Sequence, residues 1–455
     1  MMRQHTLHTL AALLAGAAAH AQDCPWEQFE VPPAFNSFHV LFDVDGVGGD
    51  DVWAVGRAQH FEFGDTSRWT YAVHFDGTGW THVPTPNPDA SGAWNDLSGV
   101  VMLGPDEAIA VGNYTHPDPG GASQCLAMRW DGSEWSLLDT PYIEGGSGLL
   151  EVEEIGGEVW AVGSRRNDAP PPATSQLAFS LRWTGSGWEE HPVPPLAELG
   201  RSFNYLVALD GVSADDTWAV GSAQSRHFDD PFGPRAYMVH WDGNDWSIVH
   251  DDFGATDPSG FGDVEAIADD DVWAVGWTLN DQFRTEPLIV HYDGSGWSRV
   301  ALPEFAPGSA ELRAVTARAA DDIYATGTWA DGDGVPRDLI LHYNGARWTQ
   351  MDSAPVNGTH QWYRGATTLP NGDVWTVGQF YDLGLGSTIA IAERLRCDAG
   401  GCDADFNADG AVNTLDVLAF LNAWSANDPN ADFNRDGTIN TQDVLAFLNA
   451  WTAGC

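Results

Sequence analysis

One seven-residue phrase returns along most of this chain and constrains its fold more than any other feature. It reads Asp-Asp-Val-Trp-Ala-Val-Gly at 50–56. Further copies, some of them looser, end at Gly112, Gly163, Gly221, Gly276, Gly327 and Gly378. The closing glycines are 51 to 58 residues apart, which indicates a repeat architecture. A second phrase follows each of the first six copies, as in His-Phe-Asp-Gly-Thr-Gly-Trp at 74–80.

Each repeat predicts four short antiparallel strands. In the fourth repeat, β-branched and aromatic residues at period two cover 206–209, 217–220, 236–241 and 246–249, with turn residues between them. Four strands repeated seven times predict a mainly β chain in which residues 22–397 form a seven-bladed β-propeller. The repeat loosely resembles the Asp-box and kelch-like repeats of other propellers. Because it lacks both the Asp-box hydroxyl and the kelch double glycine, no family function is carried over.

The two ends of the repeat region predict how the ring closes. Residues 26–31 match a fourth strand with no strands before it, and 388–395 match a third strand with no fourth after it. We therefore expect the N-terminal strand to complete the seventh blade and to leave no sheet edge open. This closure would bring Cys24 beside Cys397 and predicts a disulfide between them. A local bond between Cys397 and Cys402 is the alternative.

In an antiparallel meander, the connections from strand two to strand three and from strand four to the next repeat lie on the same side. The long, irregular connections of this chain all belong to that set, and the side is called here the long-loop face. They include 57–68, 164–176 and 222–235. Binding residues commonly lie on variable loops that a rigid scaffold carries. We predict that five tryptophans outside the repeated positions line a surface for a sugar or an apolar ligand on this face: Trp69, Trp94, Trp277, Trp329 and Trp362. For each of them, packing against a blade edge is the alternative.

Repetition also separates structural polar residues from candidate ligands. One repeated position holds His74, His240, His291 and His342, with Arg129 and Arg182 in other repeats. Recurrence in most repeats favours a structural role over metal binding. Other basic residues occur once and lie on the long-loop face, where they could meet an acidic ligand or offset neighbouring carboxylates: Arg165, Arg166, Arg226, His227 and Arg235.

The first 21 residues have the features of a secretory signal peptide, with an apolar core at 10–19 and an Ala-His-Ala cleavage site at 19–21. No later stretch is apolar enough to predict a transmembrane helix. All 20 basic residues are arginine, and the formal net charge is −45. Such acidity excludes nucleic acid as a plausible partner, because phosphate binding needs clustered cations. The sequence therefore predicts a secreted, extracellular or surface-anchored protein.

Two twelve-residue segments near the C-terminus, 405–416 and 432–443, follow the calcium-loop pattern of EF-hands. Each has oxygen-bearing side chains at positions 1, 3, 5, 9 and 12, a glycine at position 6 and a backbone carbonyl at position 7. Because a hard cation requires six to eight oxygens, we predict two bound calcium ions. The predicted ligands are Asp405, Asn407, Asp409, Ala411, Asn413 and Asp416, and then Asp432, Asn434, Asp436, Thr438, Asn440 and Asp443.

Each loop leads into the same nine residues, Asp-Val-Leu-Ala-Phe-Leu-Asn-Ala-Trp, at 416–424 and 443–451. Two calcium loops, each followed by one helix, resemble a type I dockerin of the GC type, here spanning 398–455. The resemblance implies a cohesin-type partner on a scaffold or surface protein. It assigns partner recognition to loop positions 10 and 11, which are Thr414, Leu415, Thr441 and Gln442. Cys402 and Cys455 bracket the module and are expected to pair, which leaves Cys125 free.

These features favour a non-catalytic propeller that binds a carbohydrate or protein ligand through its long-loop face and is tethered by a calcium-dependent dockerin. The alternative is a polysaccharide hydrolase or lyase, because dockerins often carry such enzymes. Glycosidase chemistry needs two opposed carboxylates, and the loops offer too many candidates to choose a pair. These are Glu62, Asp118, Glu144, Asp230, Glu286 and Asp331. A sialidase would also need clustered arginines, and the sequence reveals no such cluster.

Overall fold

The structure is a computed structural model of the 455-residue chain. It describes residues 24–34, 38–59, 67–88, 94–116, 121–167, 176–196, 201–225, 233–249, 253, 258–303, 308–330, 334–355, 358–396, 406, 414–425, 431, 433 and 439–453. The chain divides into two compact parts: Pro25–Arg396, and Met1–Cys24 together with Cys397–Cys455. The predicted signal peptide lies outside the described residues.

The larger part is built from β-strands that follow one another in fours. The first three repeats contain β2 (Phe38–Gly48), β3 (Asp51–Gln59), β4 (Arg68–Phe75), β5 (Trp80–Val83), β6 (Asn95–Gly104), β7 (Glu107–Thr115), β8 (Ser123–Trp130), β9 (Trp135–Leu138), β10 (Ser147–Ile155), β11 (Glu158–Arg166), β12 (Gln176–Trp183) and β13 (Trp188–His191). The next two contain β14 (Arg201–Ser213), β15 (Asp216–Ser225), β16 (Arg235–Trp241), β17 (Trp246–Ile248), β18 (Ser259–Ala268), β19 (Asp271–Leu279), β20 (Thr285–Tyr292) and β21 (Trp297–Arg299). The last two contain β22 (Ser309–Ala319), β23 (Asp322–Ala330), β24 (Pro336–Tyr343), β25 (Trp348–Met351), β26 (Gly358–Thr368), β27 (Val374–Asp382) and β28 (Ser387–Leu395), and they are completed by β1 (Trp26–Phe29).

The strands of each repeat form an antiparallel meander, as the alternating residue pattern predicts. The first strand of each repeat, called here the inner strand, contacts the inner strand of the next repeat. Since β26 also contacts β2, the ring is closed. The predicted β-propeller is confirmed. The count of seven blades stays a prediction, because the third and fourth repeats join in one eight-stranded sheet through a single parallel pair, Gln176 opposite Phe203.

Ring closure occurs as the chain ends predict. β1 pairs antiparallel with β28, with Trp26 opposite Leu395 and Phe29 opposite Ala392, so the first strand completes the sheet of the last repeat. Arg394 donates a hydrogen bond to Glu27 across this junction at 2.7 Å. The first and last strands of the propeller are therefore held by backbone pairing and by an ion pair.

A β-bulge in every inner strand explains the glycine that closes the repeated phrase. In β2 the register shifts between Leu41 and Asp43, and Gly56 of β3 lies opposite Leu41. A Cβ on Gly56 would lie 1.9 Å from the carbonyl oxygen of Val40, so no other residue fits there. Equivalent shifts occur in the other six repeats. The bulge changes the direction of one side chain in each inner strand, that of the extra, unpaired residue.

The second repeated phrase forms a tight turn that packs on the first. The Oδ1 atom of Asp76 accepts hydrogen bonds from the backbone N–H groups of Thr78 and Gly79, at 2.9 and 3.2 Å. Gly77 has a φ of 87°, and a Cβ there would lie 2.7 Å from the Cβ of Asp50. The glycine is therefore required both by its left-handed backbone and by the neighbouring turn.

The repeated histidines are structural, as predicted. The Nε2 atom of each forms a hydrogen bond with a carboxylate oxygen of the aspartate that begins the second strand of its repeat, as in His74 with Asp51 at 2.7 Å. Its ring also stacks against the repeated aromatic residue of that strand, as in His291 with Trp273 at 4.1 Å between centroids. Where the position holds Arg182, the partner is Glu158, and the two side chains form an ion pair at 3.2 Å.

The smaller part contains two helices, α1 (Thr414–Ser425) and α2 (Thr441–Ala453). Phe420 and Phe447, at equivalent positions in the two halves, are fully buried and stack in parallel with centroids 4.2 Å apart. Phe406 and Phe433, the second residues of the two predicted loops, meet this pair edge-on. Neither helix, nor any other in the described part of the chain, is long and apolar enough to span a membrane.

Candidate functional site

The seven bulged residues surround a cavity of about 710 Å³ at the centre of the propeller. They are Phe42, Ser98, Leu150, Val207, Gly262, Arg313 and Arg364, one from each inner strand. The closing glycine of each repeat therefore has an indirect role in the cavity, because it permits the bulge that presents one side chain to the axis.

Carboxyl groups of the inner strands line the deeper part of the cavity. They lie one and three residues after the bulge, where the strand again faces the axis. The first layer holds Asp43, Glu151 and Asp263, and the second holds Asp45, Glu153, Asp210 and Glu265. Sequence reasoning missed these residues, although they lie 12 or 13 residues (first layer) and 10 or 11 residues (second layer) before the closing glycine of their repeat.

Hydrogen bonds from the next repeat hold most of these carboxyl groups. The Oδ2 atom of Asp43 accepts the N–H of Val100 at 2.8 Å, and Asp210 accepts the N–H of Ala266 at 2.7 Å. Equivalent bonds run from Met102 to Asp45, from Val315 to Asp263 and from Ala317 to Glu265. The carboxyl groups thus connect neighbouring inner strands, which gives them a structural role.

Burial raises the pKa of every carboxyl group in these two layers, because the cavity wall removes water that would solvate the charge. The pKa of Asp43 rises to about 7, and those of Asp45 and Asp210 rise to about 6. For Glu151, burial acts together with repulsion from Asp43, and its pKa lies well above the usual range. These carboxyl groups therefore hold protons at mildly acidic pH, and the cavity gains negative charge as the pH rises.

Three arginines gather where the inner strands enter the cavity from the long-loop face. Arg313 and Arg364 occupy bulge positions of the last two repeats, and Arg57 extends from β3 of the first. The guanidinium groups of Arg57 and Arg364 lie 5.3 and 5.2 Å from the centre of the Phe42 ring, so they flank one side chain. The sequence did not reveal this cluster, because Arg57 is 256 residues from Arg313 and 307 from Arg364 along the chain.

Arg364 is the least compensated cation of the cluster. Its Nε atom is buried without a hydrogen-bond acceptor, and it forms no ion pair with any residue that the structure describes. Burial, followed by the positive charges of Arg313 and Arg57, lowers the pKa of Arg364 to about 10. Arg57 lies 3.7 Å from Asp96, too far for a hydrogen bond, whereas Arg313 donates to Glu311 at 3.0 Å. The site can therefore accept an anionic group.

A second cavity, of about 590 Å³, adjoins the first and shares Asn113, Leu150 and Tyr205 with it. Arg166 also lines this second cavity, at the end of β11 on the long-loop face. The two cavities together form a depression that extends outwards from the axis. An elongated ligand fits such a shape better than a compact one does.

The five predicted tryptophans are dispersed over the long-loop face rather than collected in one site. Trp277 lines the central cavity, and Trp329 lines a separate cavity of about 660 Å³. Trp94 is 53% exposed, with the guanidinium of Arg68 4.1 Å from its ring. Trp69 is half-buried in β4, and Trp362 lies in β26 beside His360. Of the five, Trp277 is the one placed to contact a ligand at the axis.

Other charged residues named from the sequence do not join the cavity. Arg165 forms an ion pair with Glu190 at 3.1 Å, which matches the compensating role considered for it. Of the six loop carboxylates, Glu144 and Glu286 are described, and Glu286 accepts a hydrogen bond from Asn280. Arg226, His227 and the remaining four carboxylates lie outside the described residues. Among the residues that are described, no group of three His, Cys, Asp or Glu side chains is placed to hold a metal ion.

In the C-terminal module, the last residue of each predicted calcium loop occupies the first turn of a helix. Asp416 and Asp443 are both fully buried, which is unusual for aspartate and fits a carboxylate that closes a cation site. The N–H of Asn440, at loop position 9, donates to Asp443 at 2.6 Å, so these two residues of one loop lie together. The other nine predicted ligands lie outside the described residues.

The outward faces of α1 and α2 carry exposed leucines. They are Leu415, Leu418 and Leu421 on α1, and Leu445 and Leu448 on α2, each 37 to 62% exposed. The predicted recognition residues Thr414, Thr441 and Gln442 are exposed beside them. The leucines repeat at 27 residues between the halves, with Gln442 in place of Leu415. Such apolar surface in a small module is typical of an interaction site.

The thiol of Cys125 is free, as predicted, and is buried beside Ser147, with Sγ 3.2 Å from Oγ. Burial raises the pKa of this thiol to about 12, so it is unreactive. Of the four cysteines predicted to pair, Cys24 begins the described chain, whereas Cys397, Cys402 and Cys455 lie outside it.

Residues 403–450 match the family of dockerin type I domains, so the C-terminal module is a dockerin. Among curated proteins, none matches the sequence. Similar solved structures include a protein of unknown function from Dyadobacter fermentans, with 14% identity, a TM-score of 0.45, and coverage of 82% of this chain and 99% of that one. Polysaccharide lyase Uly1 is 11% identical, with a TM-score of 0.46 and coverage of 78% and 90%. The β-propeller domain of the Trilobed protease from Pyrococcus furiosus is 8% identical, with a TM-score of 0.43 and coverage of 79% and 98%. No activity follows from similarities of this size.

Proposed function

Starting from a dockerin at the C-terminus, we propose that the chain is an exported saccharide-binding protein which docks onto a cohesin-type partner. The propeller binds the saccharide through the axial cavity on its long-loop face, and the dockerin supplies the attachment. Calcium is the expected ion of the dockerin, with one ion in each of its two loops. Residues 1–21 are the proposed signal peptide, which places the mature protein outside the cell.

The observation that carries the binding function is the preformed axial cavity. Its lining combines an aromatic ring at Trp277, a phenol at Tyr205 and the guanidinium of Arg364, which forms no ion pair among the described residues. This is the mixture of apolar faces and fixed polar groups that ligand sites use. The adjoining second cavity provides room for a chain of sugar units. Dockerin attachment would hold such a site near polysaccharide that other docked proteins also meet.

Binding is favoured over catalysis by the state of the axial carboxyl groups. The Oδ2 atom of Asp43 and the Oε1 atom of Glu151 each accept a backbone N–H group, which is a scaffold role rather than that of a catalytic pair. Most of their neighbours accept backbone N–H groups and serve the scaffold. A hydrolase or lyase that uses loop carboxylates is the alternative function.

Retention on immobilised polysaccharides tests the binding site. We expect the full-length protein to be retained by at least one polysaccharide of a panel, and Trp277→Ala to weaken retention about 10-fold through loss of ring stacking. Trp329→Ala is the matched control, because that ring lies outside the axial cavity. Equal retention of both variants would place the ligand elsewhere.

The exposed leucines of α1 and α2 support the docking function. They offer a cohesin-type domain two similar apolar surfaces, one on each half of the dockerin. Because the halves are near-duplicates, two docking orientations related by a half-turn are expected. Docking should require calcium, since the loops that orient the helices carry three carboxylates each, and these repel one another without a cation. Loss of cohesin binding in a calcium chelator would support this role.

A further inference from the structure

We propose that Arg57, Arg313 and Arg364 form a subsite for the carboxylate of a hexuronate, so that the saccharide bound by the propeller is an acidic one. The proposal rests on the saccharide-binding function proposed above and concerns the ligand class of the axial cavity. It depends on three guanidinium groups that converge from β3, β22 and β26 in a chain with only 20 basic residues and a net charge of −45.

Placing like charges together is unfavourable unless something compensates them. Within the described residues, Asp96 and Glu311 are the carboxylates that lie within 4 Å of a guanidinium group of the cluster, Asp96 beside Arg57 and Glu311 beside Arg313. Arg364 forms an ion pair with neither, although the charge of Glu311 reaches it, and its buried Nε atom has no acceptor in the part of the chain that the structure describes. A buried donor without an acceptor costs free energy, so the site is completed by a ligand that brings acceptor oxygens and negative charge.

The axial carboxyl groups do not supply that acceptor. Asp43 and Asp263 each accept the N–H of the next inner strand, and Glu151 accepts the N–H of Val152. Their raised pKa values keep them largely protonated at mildly acidic pH, so they do not repel an anion there. The Nε–H groups of Arg57 and Arg364, in contrast, have no acceptor among the described residues.

The geometry favours a carboxylate attached to a sugar ring. A guanidinium group and a carboxylate are both planar and can form two parallel hydrogen bonds. The ring of Trp277 lies in the same cavity, where it can pack against the apolar face of a sugar. A hexuronate combines both features in one residue. A sulfated sugar offers the same charge with tetrahedral geometry and is distinguished in the experiment.

The test is titration of the full-length protein, at pH 6 and saturating calcium, with trisaccharides of galacturonate, mannuronate and glucuronate. Each is compared with its neutral hexose counterpart and with a sulfated hexose trisaccharide. We expect at least one hexuronate to bind 10- to 100-fold more tightly than its neutral counterpart, the range for a charged hydrogen-bonded pair. Arg364→Gln should abolish this preference without lowering the melting temperature. Arg347→Gln, which removes the same charge from an exposed turn after β24, should retain it.

Arg313→Gln provides a second variant if Arg364→Gln does not fold, since Arg313 is partly exposed and is expected to tolerate substitution. The preference should also weaken as the pH rises through about 7, because Asp43 then ionises near the site. Equal affinity for neutral and acidic trisaccharides would overturn the proposal but leave the saccharide-binding function in place. Tighter binding of the sulfated sugar would overturn the carboxylate assignment. No binding of any saccharide would contradict both proposals.

Discussion

The buried carboxyl groups predict that the propeller loses stability as the pH rises from about 4 to about 7. Burial raises the pKa of Asp43 from 3.8 to about 7, so between these values the folded protein binds a proton that the unfolded chain has released. Stability then falls with rising pH, at about 1.4 kcal/mol per pH unit for each such group. For Asp43 alone the full effect is about 4 kcal/mol, an upper figure because the cavity admits some water. Asp45 and Asp210, with pKa values of about 6, add to the loss of stability between about pH 4 and about pH 6.

Urea denaturation of the full-length protein, followed by tryptophan fluorescence at fixed saturating calcium, measures this dependence. The transition midpoint of the propeller should fall between pH 4 and pH 7, and Asp43→Asn should flatten that fall. Asp281→Asn removes the same charge from an exposed turn and should leave the slope unchanged. Calcium binding strengthens with pH and so acts in the opposite direction. A midpoint that stays constant or rises over this range, with Asp43→Asn following the wild type, would refute the reasoning.

Three further predictions concern the dockerin, the repeat and the ring closure. Asp405→Ala combined with Asp432→Ala should abolish the calcium-induced helical signal in circular dichroism, and helix formation that persists with calcium would contradict the loop assignment. Gly276→Ala should destabilise the propeller by about 1–3 kcal/mol in urea denaturation, because its Cβ would lie 2.1 Å from a facing carbonyl oxygen. An unchanged transition midpoint would argue against the bulge as the reason for the glycine. Peptide mapping without reduction should recover Cys24 linked to Cys397, and a link from Cys397 to a cysteine of the dockerin would disprove that pairing.

The sequence predicted the repeat, the strand order and the ring closure because these depend on short-range patterns. Alternating apolar residues give the strands, and Asp-Gly turns give their connections. The recurrence of His74 and its equivalents showed that they are structural before their aspartate partners were known. The dockerin was identified for the same reason, since its calcium pattern occurs twice at a fixed spacing.

The axial site could not be predicted in this way, because its parts come from repeats far apart along the chain. Arg313 and Arg364 each lie 14 residues before the closing glycine of their repeat, a position that holds Phe42 in the first repeat. Aligning the repeats on that glycine would have placed these residues on one ring. What such an alignment lacks is the bulge, which turns that position towards the axis rather than into a blade.

In α1, helical spacing predicts one apolar stripe made of Val417, Leu418, Phe420, Leu421 and Trp424, and the same holds for α2, but the structure buries only part of it. Val417, Phe420 and Trp424 face the small core, whereas Leu418 and Leu421 are 58% and 41% exposed. A module of this size has too little interior to bury a five-residue stripe on each helix. The remaining apolar residues are therefore left for a partner, a conclusion that the spacing alone did not give.

The most direct test of the central claim, that the propeller binds an acidic saccharide without cleaving it, is one assay on the full-length protein. Immobilised acidic and neutral polysaccharides are incubated with it, and retained protein and released reducing or unsaturated ends are measured in the same wells. We predict retention on an acidic polysaccharide with no released ends above the level of a protein-free control. Release of ends that increases with protein concentration would contradict the claim and identify the propeller as an enzyme.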